Sequence, residues 1–184
     1  MTRDFLRVPL GKFGTTVCRI GLSASYRPGR ETVFKALDEG LNYFLYFGFD
    51  THMTSVLREV LPGKREQYVL ATGAYNLIWG HQNLRKTLER RLRQLRTDYI
   101  DVFHFLGVTR REHFTPRVRE ELQAVRESGL VRGVSMSTHD RKFAAELVRE
   151  GTVDAMMIRY NAAHVGAETD IFQYVGGCRQ SGCH

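Results

Sequence analysis

The stretch Leu84–Gly107, LRKTLERRLRQLRTDYIDVFHFLG, changes its period part-way along, and that change decides the fold. Leu84, Leu88, Leu92 and Leu95 recur at helical spacing and form one apolar stripe. Arg85, Lys86, Glu89, Arg90, Arg91 and Arg93 lie between them and read as a solvated face. Ile100, Val102, Phe103, Phe105 and Leu106 then crowd into a short run rich in β-branched and aromatic residues. Such a run is expected of a strand buried on both faces, as in parallel sheets. A helix feeding directly into a buried strand is one step of a wound α/β fold.

The same alternation extends along the chain. Residues 5 to 19 read as two short strands around Gly11-Lys12-Phe13-Gly14, a hairpin rather than a βα unit. Ile20 to Ser23 is the first expected strand of the series, followed by a helix from Arg30 to Glu39 with Gly40 behind it. Asn42 to Phe47 reads as a strand. Met53, Val56, Leu57 and Val60 stripe a helix stopped at Pro62-Gly63. Tyr68 to Thr72 is the third strand, and Gly73 to Gly80 reads as a loop. Thr115 and Pro116 supply an N-cap and first turn for a helix ended by Gly129. Val131 to Ser137, a helix over Arg141 to Arg149, and Val153 to Tyr160 complete the series. Strand and helix thus repeat every ~25 to 30 residues, the size of a βα unit.

Two architectures fit this alternation: an open doubly wound sheet and a (β/α)8 barrel. The first would carry G-x-G-x-x-G after its opening strand. The corresponding stretch, Ser23 to Arg30, reads SASYRPGR and lacks it, and no Walker A sequence occurs. Composition is that of a globular protein, and no apolar run is long enough for a bilayer. The N-terminus lacks the apolar core of a signal peptide, so the cytoplasm is expected. Net charge is +7, but the basic residues interleave with glutamates, as in Arg117, Arg119, Glu120, Glu121, Arg126 and Glu127. That pattern describes solvated helix faces, and neither nucleic acid nor membrane is an expected partner.

Leu95-Arg96-Thr97-Asp98-Tyr99-Ile100-Asp101-Val102 resembles the aldo-keto reductases, in which "L-x-T-D-Y-I-D-V" leads a helix into the fourth barrel strand. "R-x-P-L-G-K-F-G" from Arg7 and "V-C-R-I-G-L-S" from Val17 resemble the hairpin that closes that family's barrel. The resemblance runs from about Arg7 to Phe172. It implies an incomplete (β/α)8 TIM barrel in an α/β chain, with about six of eight parallel strands and an N-terminal β-hairpin. A complete barrel typically needs about 250 residues. The domain is expected over residues 1–175, and residues 176–184 read as a disordered or foreign tail.

The family reduces carbonyl compounds with NADP(H), using a tyrosine, a lysine, an aspartate and a histidine. Here those positions fall on Asp50, Gly73, Leu45 and Leu106 respectively. The resemblance keeps a cofactor serine as Ser135 and an asparagine as Asn161, while Met136 and Met157 stand where amides are expected. A divergent bacterial branch resembles the chain at Ser137 to Arg141 and at Arg159 to Glu168. Function is expected at the C-terminal ends of the strands. Candidate catalytic residues are therefore Tyr46, His104 and His164. Tyr46 is a substitute proton donor or an aromatic filling the barrel mouth. His104, two residues before the expected histidine, orients a carbonyl or is a core histidine satisfied by a backbone group. His139 and His164 sit in loops where an imidazole acts as acid, base or ligand, or only caps a turn.

No metal site is expected. Cys178, Cys183 and His184 cluster in the tail, but a structural zinc site usually takes four ligands. Two functions compete. One is an aldo-keto reductase-like oxidoreductase acting on a small carbonyl compound. The other is a catalytically inactive relative serving as a binding or regulatory module. The missing tetrad favours the second, and the retained loop motifs favour the first. The cofactor implied by the resemblance is NADP(H). This chain, which stops before the loops that would hold the phosphates, is expected not to bind it. Open barrel edges are expected to permit self-association.

Overall fold

The computed structural model describes residues 5–175. The tail containing Cys178, Cys183 and His184 lies outside the described residues. The chain begins with an antiparallel hairpin, β1 (Arg7–Pro9) and β2 (Thr16–Cys18). Six parallel strands follow, in the order β3 (Leu22–Ser23), β4 (Tyr43–Leu45), β5 (Val69–Leu77), β7 (Ile100–Val108), β8 (Val131–Thr138) and β9 (Ala155–Met157). The sheet is a curled half-barrel. Its helices are α1 (Arg30–Asp38), α2 (Thr51–Val60), α3 (Leu84–Leu95), α4 (Pro116–Glu127), α5 (Arg141–Arg149) and the short α6 (Ala167–Asp170).

Helix boundaries follow local chemistry. Asn83 caps α3, its side-chain oxygen accepting the Lys86 N–H at 2.8 Å. Thr115 caps α4 through the Val118 N–H, with Pro116 in the first turn. Asp140 caps α5 through the Phe143 N–H at 3.0 Å.

Strand alternation sorts the side chains into two cores. Phe44, Tyr46, Leu70, Phe103, Phe105, Val134 and Met136 belong to the main cluster, packed with the helix residues Val56, Leu57, Leu88, Leu95, Val118, Leu122 and Leu147. Val69, Ala71 and Val102 face the other way, into the barrel interior, where Val17, Val8, Leu10 and Phe13 of the hairpin segment meet them. Phe13 lies so close to Gly133 that a Cβ there would be 2.6 Å from its ring. The hairpin therefore plugs the barrel at the N-terminal ends of the strands.

Those ends are tied by carboxylates. Asp101, 1% exposed, accepts the Leu70 N–H at 2.9 Å and an Arg65 N–H at 2.7 Å. Arg65 also donates to the Tyr68 and Tyr99 carbonyls and to Thr97. It lies on the Tyr99 ring, 3.8 Å from the centroid, and Arg132 flanks the same ring at 4.9 Å. Asp154 repeats the device: it accepts the Val134 N–H at 3.0 Å and is held by both ends of the Arg126 guanidinium. The residues of the T-D-Y-I-D motif therefore join neighbouring strands.

Three sequence expectations need correction. Gly73 to Gly80 is not a loop. The third strand continues to Leu77 and turns back as β6 (Gly80–His81), pairing Asn76 with His81. Ile78 and Trp79, more than nine-tenths exposed, form the tip of this hairpin. The sixth barrel strand is shorter than Val153 to Tyr160, because Asp154 is engaged with Arg126 and the chain leaves the sheet after Met157. Arg91 does not lie on a solvated face: it is 7% exposed.

Candidate functional site

The strand register puts Gly73, His104, Ser135 and Ala155 side by side on four adjacent strands. His104 follows Val102 by two residues, so it shares the interior face with it. His104 is 3% exposed and Ser135 is fully buried. Neither ring nitrogen of His104 has a hydrogen-bond partner, and neither does Ser135 Oγ. The backbone group that would satisfy a core histidine is therefore absent. Burial pushes the His104 imidazole down to about 4, so it is neutral near pH 7 and presents one donor and one acceptor. An unmet buried polar group costs about 1–3 kcal/mol, and here two neighbouring side chains leave three such atoms in one row.

Gly73 is the reason the row is tight. A Cβ on it would collide with the His104 carbonyl oxygen and stand 3.0 Å from the His104 Cβ. A lysine at this position would force β5 and β7 apart. The other positions that the resemblance assigns to catalysis are also occupied structurally. Leu45 is paired with Ala71 and packs in the interior cluster. Asp50 caps α2, its Oδ1 accepting the His52 and Met53 N–H groups at 2.8 and 3.1 Å. Leu106 is buried in the main core.

Tyr46 does not join His104 and Ser135. It lies on the opposite face of the sheet, fully buried beneath α2 and α3. Its hydroxyl is 3.3 Å from Gln94 Oε1 and 3.4 Å from Thr54 Oγ1. Burial raises its pKa, against smaller lowering effects from Thr54, Arg91, Arg58 and Arg90. The signal was in the sequence: if Leu45 faces the interior, its neighbour Tyr46 faces the helices.

Asn161 and His164 are exposed and bonded to one another. Asn161 Oδ1 accepts the Ala163 N–H and contacts His164 Nδ1, each at 3.0 Å, and the two residues form a one-bridge turn. Tyr160 donates to Glu168 and stacks edge-on against Phe172. His139 is exposed beside the α5 cap. Met136 is not at the interior: it pairs with Phe105 and Met156 on the helix side. No group of three or more metal-ligating side chains occurs among the described residues. No helix there is long and apolar enough to cross a membrane.

Arg91 is the residue that sequence reasoning missed. Its Nη1 donates to Gln94 Oε1 at 2.9 Å, while its buried Nε has no partner. Its spacing of seven residues from Leu84 already placed it on the buried stripe, with Thr87 and Leu88.

No protein-family model matches the sequence, and no curated protein is similar to it. Solved structures are. A Pseudomonas aeruginosa protein described as an aldo-keto reductase superposes with a TM-score of 0.73 at 22% identity, over 95% of this chain and 76% of its own. An aldo-keto reductase of Klebsiella pneumoniae, solved with NADP and acetate, gives 0.66 at 22% identity over 91% and 62%. The glycerol dehydrogenase of Gluconobacter oxydans gives 0.66 at 20% over 92% and 59%. The hairpin plug, the curled sheet of six parallel strands and the helices over its outer face are thus shared with these proteins, and the fold of this chain is that of the aldo-keto reductases.

Proposed function

We propose that this chain is an aldo-keto reductase-like barrel that binds a small carbonyl compound in its interior and does not reduce it. The observation that carries the reading is the buried row of His104 and Ser135 with no partner for any of their polar side-chain atoms. A neutral imidazole N–H and a serine hydroxyl on adjacent strands are two donors suited to one carbonyl oxygen. Reduction needs a proton donor beside that oxygen, and Tyr46, on the other face of the sheet, is too far from this task.

NADP(H) does not fit the residues present. Asn161, one of the two groups assigned to it by resemblance, uses its side-chain oxygen within its own turn. Ser135, the other, is buried in the row described above. The outer strands of the sheet, β3 and β9, span two and three residues. Such short edges limit pairing between copies, so self-association through them is proposed to be weak.

The test is a calorimetric titration of 4-nitrobenzaldehyde into the wild type, His104→Leu and Ser135→Ala, beside an NADPH oxidation assay. Saturable binding by the wild type, lost in both variants, with no NADPH consumed, supports the reading. Protein-dependent NADPH oxidation by the aldehyde would overturn it in favour of a reductase.

A further inference from the structure

Every arginine on the helices other than α3 has a partner. Arg30 of α1 is bonded to Glu59, and Arg58 of α2 donates to the Gln94 carbonyl. On α4, Arg117, Arg119 and Arg126 meet Glu121, Glu150 and Asp154. On α5, Arg141 meets Asp170, and Arg149 lies over the Tyr174 ring. Helix α3 breaks the pattern. Arg85 is paired with Glu89 at 2.7 Å and Arg91 with Gln94. No carboxylate pairs with Lys86, Arg90 or Arg93 among the described residues. All three are exposed. Lys86 and Arg90 are four residues apart, and Arg90 and Arg93 three, so they form one like-charged stripe. Such a stripe works against the helix that carries it.

The stripe lines a groove of about 440 Å³ on the side of α3 that faces away from its buried leucines, Leu84, Leu88 and Leu95. What the groove presents is donors. Gln82 and Asn83 also line it, and their side-chain oxygens are committed to the Tyr75 and Lys86 N–H groups. Their amide NH2 groups are what remains for a ligand. The carboxylate in the lining, Glu89, is held by Arg85. No aromatic side chain lines the groove. Cations and donors without a ring surface recognise an anion that only accepts hydrogen bonds, not a base or an apolar group. At a rise of about 1.5 Å per residue, Lys86 and Arg93 lie about 10 Å apart along the axis. A chain of phosphates spans such a ladder, whereas one phosphate meets only part of it.

We propose that the outer face of α3 is a binding site for a linear oligophosphate. Lys86, Arg90 and Arg93 hold successive phosphates, and the Gln82 and Asn83 amides donate at the N-terminal end of the stripe. The bound anion relieves the repulsion between the three cations. The site is separate from the His104–Ser135 row in the barrel interior, so neither depends on the other.

The test is calorimetric titration of tripolyphosphate, orthophosphate, citrate and ATP into the wild type at constant ionic strength. Tripolyphosphate is expected to bind saturably, more tightly than orthophosphate or citrate and about as tightly as ATP, whose base finds no ring to stack on. Arg90→Gln should weaken it roughly two- to fivefold, the worth of one exposed ion pair. Replacing Lys86, Arg90 and Arg93 together by glutamine should weaken it about tenfold or more. These side chains are exposed, so the variants keep the fold. Lys35→Gln, which removes the same charge from α1, should leave the affinity unchanged. The proposal is overturned if the wild type does not bind tripolyphosphate saturably, or if the triple variant binds it equally well. An equal loss in Lys35→Gln would reduce the effect to net charge, and citrate binding as tightly would reduce it to any polyanion; either result also overturns it. ATP binding far more tightly than tripolyphosphate would show that a base is read, against the lining described above.

Discussion

At the N-terminal ends of the strands, Asp101 and Asp154 each accept the N–H of a neighbouring strand and the guanidinium of an arginine. Towards the C-terminal ends, His104, Ser135, Thr72 and Arg91 are buried and carry atoms with no partner. Burial alone does not separate the two regions, since Asp101 is as buried as His104 and yet fully partnered. The lower end meets the hydrogen-bonding capacity of its carboxylates internally and so fixes strand register. The upper end leaves capacity unmet, which is destabilising in the free protein and becomes favourable only when something else supplies the partner. Met and unmet hydrogen-bonding capacity are thus placed at different levels of one sheet.

The sharpest way to break the comparison is at the lower end. Asp101→Ala strands the Arg65 guanidinium, whose side chain is 14% exposed, and leaves the Leu70 N–H unmet. The expected loss is about 3–5 kcal/mol in urea denaturation. A loss below 1 kcal/mol would remove the distinction between the two ends.

A comparable effect is expected from pH at the upper end. His104 is held at about 4 by burial, against roughly 6.5 in the unfolded chain. Between those values the unfolded state carries a proton that the folded state does not. Stability is therefore complete above pH ~6.5 and falls as the pH drops towards 4, by up to about 3 kcal/mol from this residue. His104→Leu should flatten that part of the stability profile and cost little at pH 7. An unchanged slope would show that the imidazole is not kept neutral by its surroundings.

Gly73→Ala sharpens the picture with a smaller change. One methyl group directed at the His104 carbonyl should cost about 1–3 kcal/mol by overpacking. Aldehyde binding should weaken with it, since the row would be displaced. The smallest effect is expected from Tyr46→Phe. Its two hydrogen bonds are long, so the loss should be about 0.5–1.5 kcal/mol, with aldehyde binding unchanged.

The sequence carried the fold well because periodicity survives without neighbours. The switch from the Leu84–Leu95 stripe to the Ile100–Leu106 run places a helix and a strand, and Thr115-Pro116 marks a helix start. It carried the site less well, for reasons that are physical. Gly73 was read as the beginning of a loop, yet it is a strand residue kept small by close approach to the next strand. Nothing local reveals such an approach. Tyr46 was placed by its position at a strand end, whereas the side of the sheet it occupies decides its role, and only alternation gives that. Arg91 was grouped with its charged neighbours, although its spacing from Leu84 set it apart. Whether His104 had a backbone partner could be learned only from three dimensions.

The hairpin formed by β5 and β6 has an optical consequence. Trp79 is the single tryptophan, and at 97% exposure it already sees water in the native state. Its emission will be red-shifted in the folded protein and will change little when the sheet unravels. Fluorescence of this indole is thus a poor clock for denaturation and a sensitive reporter of anything that lands on the hairpin tip.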